Sequence, residues 1–245
     1  LRRQFEAREA ERESRQRQER LAAMGEMAAR LAHQLRTPLA TALLYAAQLG
    51  GEDLPAAERA RFANKTVERL HHLERLVNDM LQFVRGVNAG CELSAVEDML
   101  SEAFQIIEPQ AMARGLLAEL CDESGGCVIH VDRQALGGAL LSLLENAVQA
   151  CNAGGSIRLA ASVANGQVAF CVSDTGAGIA AALQEHLFEP FFTTRRGGTG
   201  LGLAIVRSVA ETHGGSISVR SVPGEGSEFR LCLPLAPAPI RALSG

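Results

Sequence analysis

The stretch LAHQLRTPLA, Leu31 to Ala40, decides how the first third of the chain folds. Leu31, Leu35, Leu39 and Leu43 recur every four residues, which predicts an amphipathic helix with these leucines on its buried face and His33, Arg36 and Thr37 turned away. Pro38 removes one intrahelical hydrogen bond and bends the helix, which opens the turn around His33 and Thr37. A solvent-reachable imidazole at such a kink is a candidate phosphate acceptor. A surface histidine on a bundle helix is the plainer alternative, and signatures far downstream decide between the two.

Upstream, residues 1–20 are dominated by Arg and Glu, with Glu11/Arg15 and Glu13/Arg17 at i, i+4 spacing, and read as a solvated linker helix or a weak coiled coil. Leu21, Met24, Ala28, Leu31 and Leu35 carry the helix onward to about Leu49, where Gly50 and Gly51 stop it. Asp53 and Pro55 start a second helix, Ala56 to Arg85, with Phe62, Leu70, Leu73, Val77, Met80, Leu81 and Val84 as its expected buried stripe. His71 and His72 on this helix lack the flanking Arg-Thr-Pro and read as structural or solvated. Two such helices make an antiparallel hairpin over residues 21–86 that cannot bury both stripes by itself, so a second copy is expected to complete a four-helix bundle.

Composition narrows the class. With 245 residues the chain is long enough for two modest domains. A formal charge of −4, no Trp and one Tyr argue against nucleic acid as a direct ligand. There is no apolar run of about 18 residues and no signal peptide, so this piece is expected in the cytoplasm with no membrane contact of its own. A membrane anchor or sensor domain ahead of Leu1 stays open. The six cysteines form no C-x-x-C pair and read as reduced core residues.

RGVNAGCEL, Arg85 to Leu93, reads as a hinge, and a second domain follows over residues 91–235. Helices are expected at Val96 to Arg114, Arg133 to Cys151 and Leu201 to His213. Strands are expected at Leu116 to Cys121, Cys127 to Val131, Ser156 to Val163, Gln167 to Ser173, Ser216 to Ser221 and Ser227 to Leu233, with Asn165-Gly166 as a hairpin turn. Residues 236–245 are Pro- and Ala-rich and read as a disordered tail.

Four further signatures lie in this domain: LLENAVQA (Leu143 to Ala150), DTGAGI (Asp174 to Ile179), FEPFFTT (Phe188 to Thr194) and GGTGLGLAIV (Gly197 to Val206). Asn146 sits in a helix whose other face is apolar, where an amide costs stability unless it faces a polar cleft. Asp174 ends an apolar strand, where its carboxylate can accept from an amino group and Gly176 and Gly178 allow close backbone approach. The glycine-rich loop with Gly198, Gly200 and Gly202 leads into a helix whose free N–H groups suit phosphates.

Taken with LAHQLRTPLA, these segments resemble in order and spacing the H, N, G1, F and G2 boxes of sensor histidine kinases of two-component systems. The resemblance runs from about Met24 to Pro234 and implies an α+β chain: a helical hairpin that dimerises into a four-helix bundle, then an α/β-sandwich ATP-binding domain of the GHKL (Bergerat) type shared with gyrase, Hsp90 and MutL. It implies ATP and Mg²⁺ as cofactors, Asn146 as metal ligand, Asp174 as adenine contact, Thr194, Arg195 and Arg196 in the lid as phosphate contacts, and Phe188, Phe191 and Phe192 packing that lid. His33 becomes the phosphorylated residue, and Thr37 the residue that aligns water for dephosphorylation.

The implied partners are a second copy of the chain and a response regulator with a receiver domain. HQLRTPL, NAVQA and the short lid look most like nitrogen- and flagellar-regulation sensor kinases, whose usual targets are σ54-dependent activators. Three positions depart from the family. Gln34 replaces an acidic neighbour of the histidine, Ser142 stands where a second Asn or His is usual, and Gln149 lies near a usual Lys or Arg. Ser142 also replaces the Glu that activates water in the related ATPases, which favours transfer over hydrolysis. Gln34 can fix the imidazole tautomer but cannot take a proton, so the alternative is a phosphatase-biased or kinase-dead homologue acting as an ATP-binding dimeric scaffold.

Overall fold

The computed structural model describes residues 35–50, 54–85, 90–195 and 198–235. His33, Gln34, the charged segment 1–20 and the start of the first helix lie outside these residues, as do 51–53 of the loop, 86–89 of the hinge, Arg196 with Gly197, and the tail 236–245. Two compact units emerge, residues 1–78 and 79–245.

The first unit holds helix α1, residues 35–48, and most of α2, Ala56–Arg85. Turn bonds from Leu49 and Gly50 to Ala46 and Ala47 close the end of α1, as the glycine pair predicts. Tyr45 of α1 meets Phe62 of α2 with ring centroids 6.0 Å apart, joining the two helices. The buried stripe differs from the expected one. Pro38 and Ala42 are buried and Leu35, Tyr45 and Leu49 half-buried, whereas Leu39 and Leu43 are 47% and 62% exposed. A strict four-residue spacing drifts by about 40° per step around a helix of 3.6 residues per turn, so Leu35 and Leu43 cannot share a narrow face. Alternating steps of three and four, 35, 38, 42, 45 and 49, hold one line.

The same correction applies to α2. Leu76 is buried, with Phe62, Leu73 and Met80 half-buried on its line, while Val67, Leu70, Val77 and Leu81 form a separate exposed apolar stripe. The sequence reading merged two stripes into one.

In the second unit, β1 (Glu92–Ala95) pairs antiparallel with β3 (Val128–Val131), so a strand begins inside the segment read as hinge. The main sheet has the order β2 (Leu117–Glu123), β4 (Ser156–Ala164), β5 (Gln167–Asp174), β7 (Gly226–Pro234), β6 (Ser216–Val222), with β2–β4 parallel and the other pairs antiparallel. Asn165 and Gly166 both take positive φ, 53° and 74°, as the two-residue turn between β4 and β5 requires. Helices α3 (Val96–Ala113), α4 (Arg133–Ala150) and α6 (Gly202–Thr212) cover one face of the sheet, and a short α5 (Ala181–Gln184) was not foreseen.

Strand periodicity sets what meets those helices. Ile157, Leu159 and Ala161 of β4, Val168, Phe170 and Val172 of β5, and Phe229, Leu231 and Leu233 of β7 are all buried at alternate positions. They pack with Leu136, Leu140, Leu143, Leu144 and Val148 of α4 to form the core. Continuing the same alternation, Asp174 follows Phe170 and Val172 onto the helix-covered face, and its register partner is Ser227 on β7.

Candidate nucleotide site

Helix α4 presents the site. Its buried face is apolar, and Ser142, Asn146 and Gln149, at steps of four and three, make a polar stripe along its flank. Both ends of α4 are pinned. At the N-terminus Asp132 Oδ1 accepts from the Ala135 N–H at 3.0 Å, and the Asp132 N–H donates to His213 Nε2 at 3.0 Å. At the C-terminus Arg114 Nη1 donates to the Val148 carbonyl at 3.1 Å and the Ala177 N–H to the Ala150 carbonyl at 3.3 Å. The stripe is therefore held rigidly beside the strand end that carries Asp174.

Asp174 is only 8% exposed. Its Oδ1 accepts from the Gly176 N–H at 2.8 Å. Burial pushes its pKa up; the bonds from Gly176 and Ser227 and the charge of Arg195 pull the other way. The loop after it is stitched to its surroundings: the Ile179 N–H donates to Ser221 Oγ at 2.8 Å, Gln184 Nε2 donates to the Ser221 carbonyl at 2.9 Å, and the Gly224 N–H donates to the Ala177 carbonyl at 2.8 Å. Ser221, Gln184 and Ser227 went unrecognised in the sequence, because only strand register brings them to the loop.

The glycines of this loop have a packing role that the motif did not reveal. A Cβ on Gly176 would lie 2.6 Å from the Ala150 carbonyl oxygen, and one on Gly178 would overlap the Val222 carbonyl. Their bare backbone lets the loop lie against α4 and the β6–β7 turn.

The lid segment closes on itself. The Phe191 N–H donates to the Gly200 carbonyl at 2.8 Å, and Gly200 has no room for a Cβ against the Phe191 backbone. Phe191 pays for this contact with φ 67°, a region aromatic residues avoid by about 1 kcal/mol. Phe192 meets the His186 ring at 5.8 Å. A Cβ on Gly202 would fall 2.6 Å from Ser142 Oγ, so the first turn of α6 rests directly on the α4 stripe. Thr199 Oγ1 accepts from the Leu201 N–H at 3.1 Å, and the next N–H groups of α6 have no acceptor within the helix.

On the other side of the lid, Thr193 Oγ1 accepts from the Arg195 N–H at 3.1 Å, and Gly198 lies against Thr193. Arg195 Nη1 then donates to Asn146 Oδ1 and to Gln149 Oε1, each at 2.9 Å, and Nη2 to the Asn146 carbonyl at 3.0 Å. Desolvation pushes the Arg195 pKa down, Asp174 opposes that shift and Arg114 adds to it. Thr194 is exposed at the lid. Asn146, Asp174, Arg195 and the glycines thus converge in one unit, whereas Thr37 is an exposed residue of α1 in the other.

This donor set fits a magnesium nucleotide. A buried carboxylate suits an exocyclic amine, the open N-terminus of α6 suits phosphate, and Asn146 Oδ1 is a hard carbonyl oxygen that already holds a cationic group.

Two family models match the chain. Residues 131–237 match the model of the histidine kinase-, DNA gyrase B- and HSP90-like ATPases, and residues 23–88 that of the His Kinase A (phospho-acceptor) domain. The chain is 42% identical over 231 residues to the sensor protein kinase FleS of Pseudomonas aeruginosa, which covers 93% of this chain and 56% of that protein. The crystal structure of full-length ShkA in complex with AMPPNP shares 33% identity and a TM-score of 0.66 over 87% of this chain and 46% of that one. Histidine kinase ThkA in complex with response regulator protein TrrA matches 91% of this chain and 65% of its own, with 25% identity and a TM-score of 0.76. The chain spans about half the length of the curated relatives it matches.

Proposed function

We propose, from the premise that this chain belongs to the sensor histidine kinases of two-component systems, that it is an ATP-dependent protein-histidine kinase which phosphorylates His33 and passes the phosphoryl group to an Asp of a response regulator. The observation that carries the reading is the convergence of buried Asp174, the Asn146 stripe and Arg195 beside the open end of α6. In that site Asp174 receives the adenine amino group. Asn146 Oδ1 would hold Mg²⁺, and Thr194, Arg195 and the backbone at Gly198, Gly200 and Gly202 would meet the phosphates. Bound Mg²⁺ supplies charge neutralisation on the phosphates.

The residues of the chain do the rest. A ring nitrogen of neutral His33 forms the N–P bond as the bond between the γ-phosphorus and the bridging oxygen breaks, with ADP leaving on that electron pair. Gln34 has an amide oxygen that can accept from the other ring N–H and so fix the tautomer, but it cannot take the proton. Ser142 offers no carboxylate to activate water, and its contact with Gly202 ties it to packing, which supports transfer over hydrolysis. Thr37, exposed on α1, serves the opposing hydrolysis, aligning water on the aspartyl phosphate of the regulator so that inorganic phosphate leaves.

The exposed stripes, Leu39, Leu43 and Leu44 on α1 and Val67, Leu70, Val77 and Leu81 on α2, support a homodimer. The ThkA complex supports a response regulator as partner, and the NAVQA and HQLRTPL segments support a σ54-dependent activator as its class. Use of ATP supports a cytoplasmic location; among the described residues no helix is long and apolar enough to cross a membrane.

Incubation with γ-labelled Mg-ATP tests the reading. Acid-labile, alkali-stable label that vanishes in His33→Ala is the expected result. Label that survives acid, or that persists in the variant, contradicts it.

A further inference from the structure

Three oxygens of α4 converge on one guanidinium: Asn146 Oδ1, the Asn146 carbonyl and Gln149 Oε1 all accept from Arg195 within 3.0 Å. None of the three carries a formal charge, and a neutral helix flank that gathers a cation in this way is already a cation-binding surface. One of these oxygens, Asn146 Oδ1, is the atom assigned above to Mg²⁺. An amide oxygen has two lone pairs, but a guanidinium and a divalent ion placed on both would stand a few ångströms apart. Their repulsion would far outweigh what one shared hydrogen bond returns. The two occupants exclude each other.

We propose that Arg195 is a latch on the metal site: in the nucleotide-free chain it occupies the α4 oxygens, and binding of the magnesium nucleotide displaces it, so metal entry and Arg195 release are one competitive event. Gln149 is the positioning residue that sets the strength of the latch, because it holds Arg195 without being assigned to the metal. The turn in which Thr193 Oγ1 accepts from the Arg195 N–H keeps the guanidinium aimed at α4. Once displaced, the same guanidinium is free to meet the phosphates. This inference rests on the reading of Asn146 as metal ligand. It predicts something that reading alone does not, namely that weakening the latch tightens binding of the magnesium nucleotide.

Two variants of the full chain test it. Gln149→Leu removes one acceptor while keeping both the cation and Asn146; Arg195→Met keeps the side-chain stem and removes the charge. Amide exchange at Thr193 to Arg195 is followed without nucleotide, and ADP binding is measured by calorimetry with and without Mg²⁺. Gln149→Leu is expected to speed the exchange and to tighten Mg-ADP about threefold to tenfold, the worth of one charge-assisted hydrogen bond at an open site. Arg195→Met is expected to speed the exchange and to weaken metal-free ADP, which raises the ratio of metal-loaded to metal-free affinity. Unchanged exchange in Gln149→Leu, or Mg-ADP binding that is unchanged or weaker, overturns the latch even where ADP binds normally. Exchange that responds as expected while no ADP binds to any of the three proteins sinks the nucleotide reading, and the metal competition with it.

Discussion

The helical hairpin and the sheet-and-helix unit treat their apolar residues in opposite ways. In the second unit Phe170, Leu140, Leu143, Leu144, Val206 and Leu231 are wholly buried, and the strands alternate cleanly between core and surface. In the hairpin, Pro38, Ala42 and Leu76 are the buried apolar residues among those described, while seven large ones, from Leu39 to Leu81, stand 43% to 62% exposed. Among the described residues the first unit shows no second layer of the kind a stable domain needs, and the second unit contains both of its layers. The contrast supports the proposed division of labour: a hairpin surface offered to another copy, and a nucleotide site carried by the second unit.

The sharpest way to break the contrast is to charge the exposed stripe. Leu70→Glu removes an apolar contact from both subunits of a twofold interface, about 3–6 kcal/mol in all at the usual value of a buried leucine, and is expected to halve the mass in sedimentation while leaving the melting of the second unit unchanged. A dimer that survives would place the interface elsewhere. Next comes Phe170→Ala, which opens a cavity under the sheet and is expected to cost the second unit about 3–5 kcal/mol in denaturant unfolding, with dimer mass retained.

The smallest effect is a pH slope at Asp174. Burial raises its pKa, so the folded unit holds the proton more tightly than the unfolded chain does. Its contribution is therefore full below the unfolded carboxyl value and is lost as pH rises through the raised folded value. From about pH 4 upward, wild-type urea stability without nucleotide is expected to fall relative to Asp174→Asn. Parallel profiles would show that the carboxylate is better satisfied than its burial suggests.

What could be read beforehand follows the range of each signal. Local signals were sufficient for Asn165-Gly166, for the boundaries of α2 and α4, and for the order of the strands and helices other than β1 and α5, because turn chemistry and periodicity act over a few residues. They failed for α1, where leucines at four-residue intervals looked like one face and Leu39 and Leu43 proved exposed. A line alternating three and four steps through Pro38, Ala42 and Tyr45 was there to be found, but small and proline residues hide it in a hydropathy reading.

At the nucleotide site, Asn146, Asp174 and Arg195 were each legible as motif residues, but their joining was not. Ser142 and Gln149 were noted only as departures, although with Asn146 they form one stripe on which both ends of the lid rest. An uncharged Gln149 opposite a lid with two arginines was the available hint. The pairing of Asp174 with Ser227 depends on a register across 53 residues of chain and has no local trace.

The most direct test of the central claim separates the two regions. Residues 1–89 and residues 90–235 are prepared as two polypeptides and mixed with γ-labelled Mg-ATP. Acid-labile label is expected on the hairpin fragment alone, only when both pieces are present, and none when that fragment carries His33→Ala. Label on the nucleotide-binding fragment, or on the His33→Ala hairpin, would contradict it.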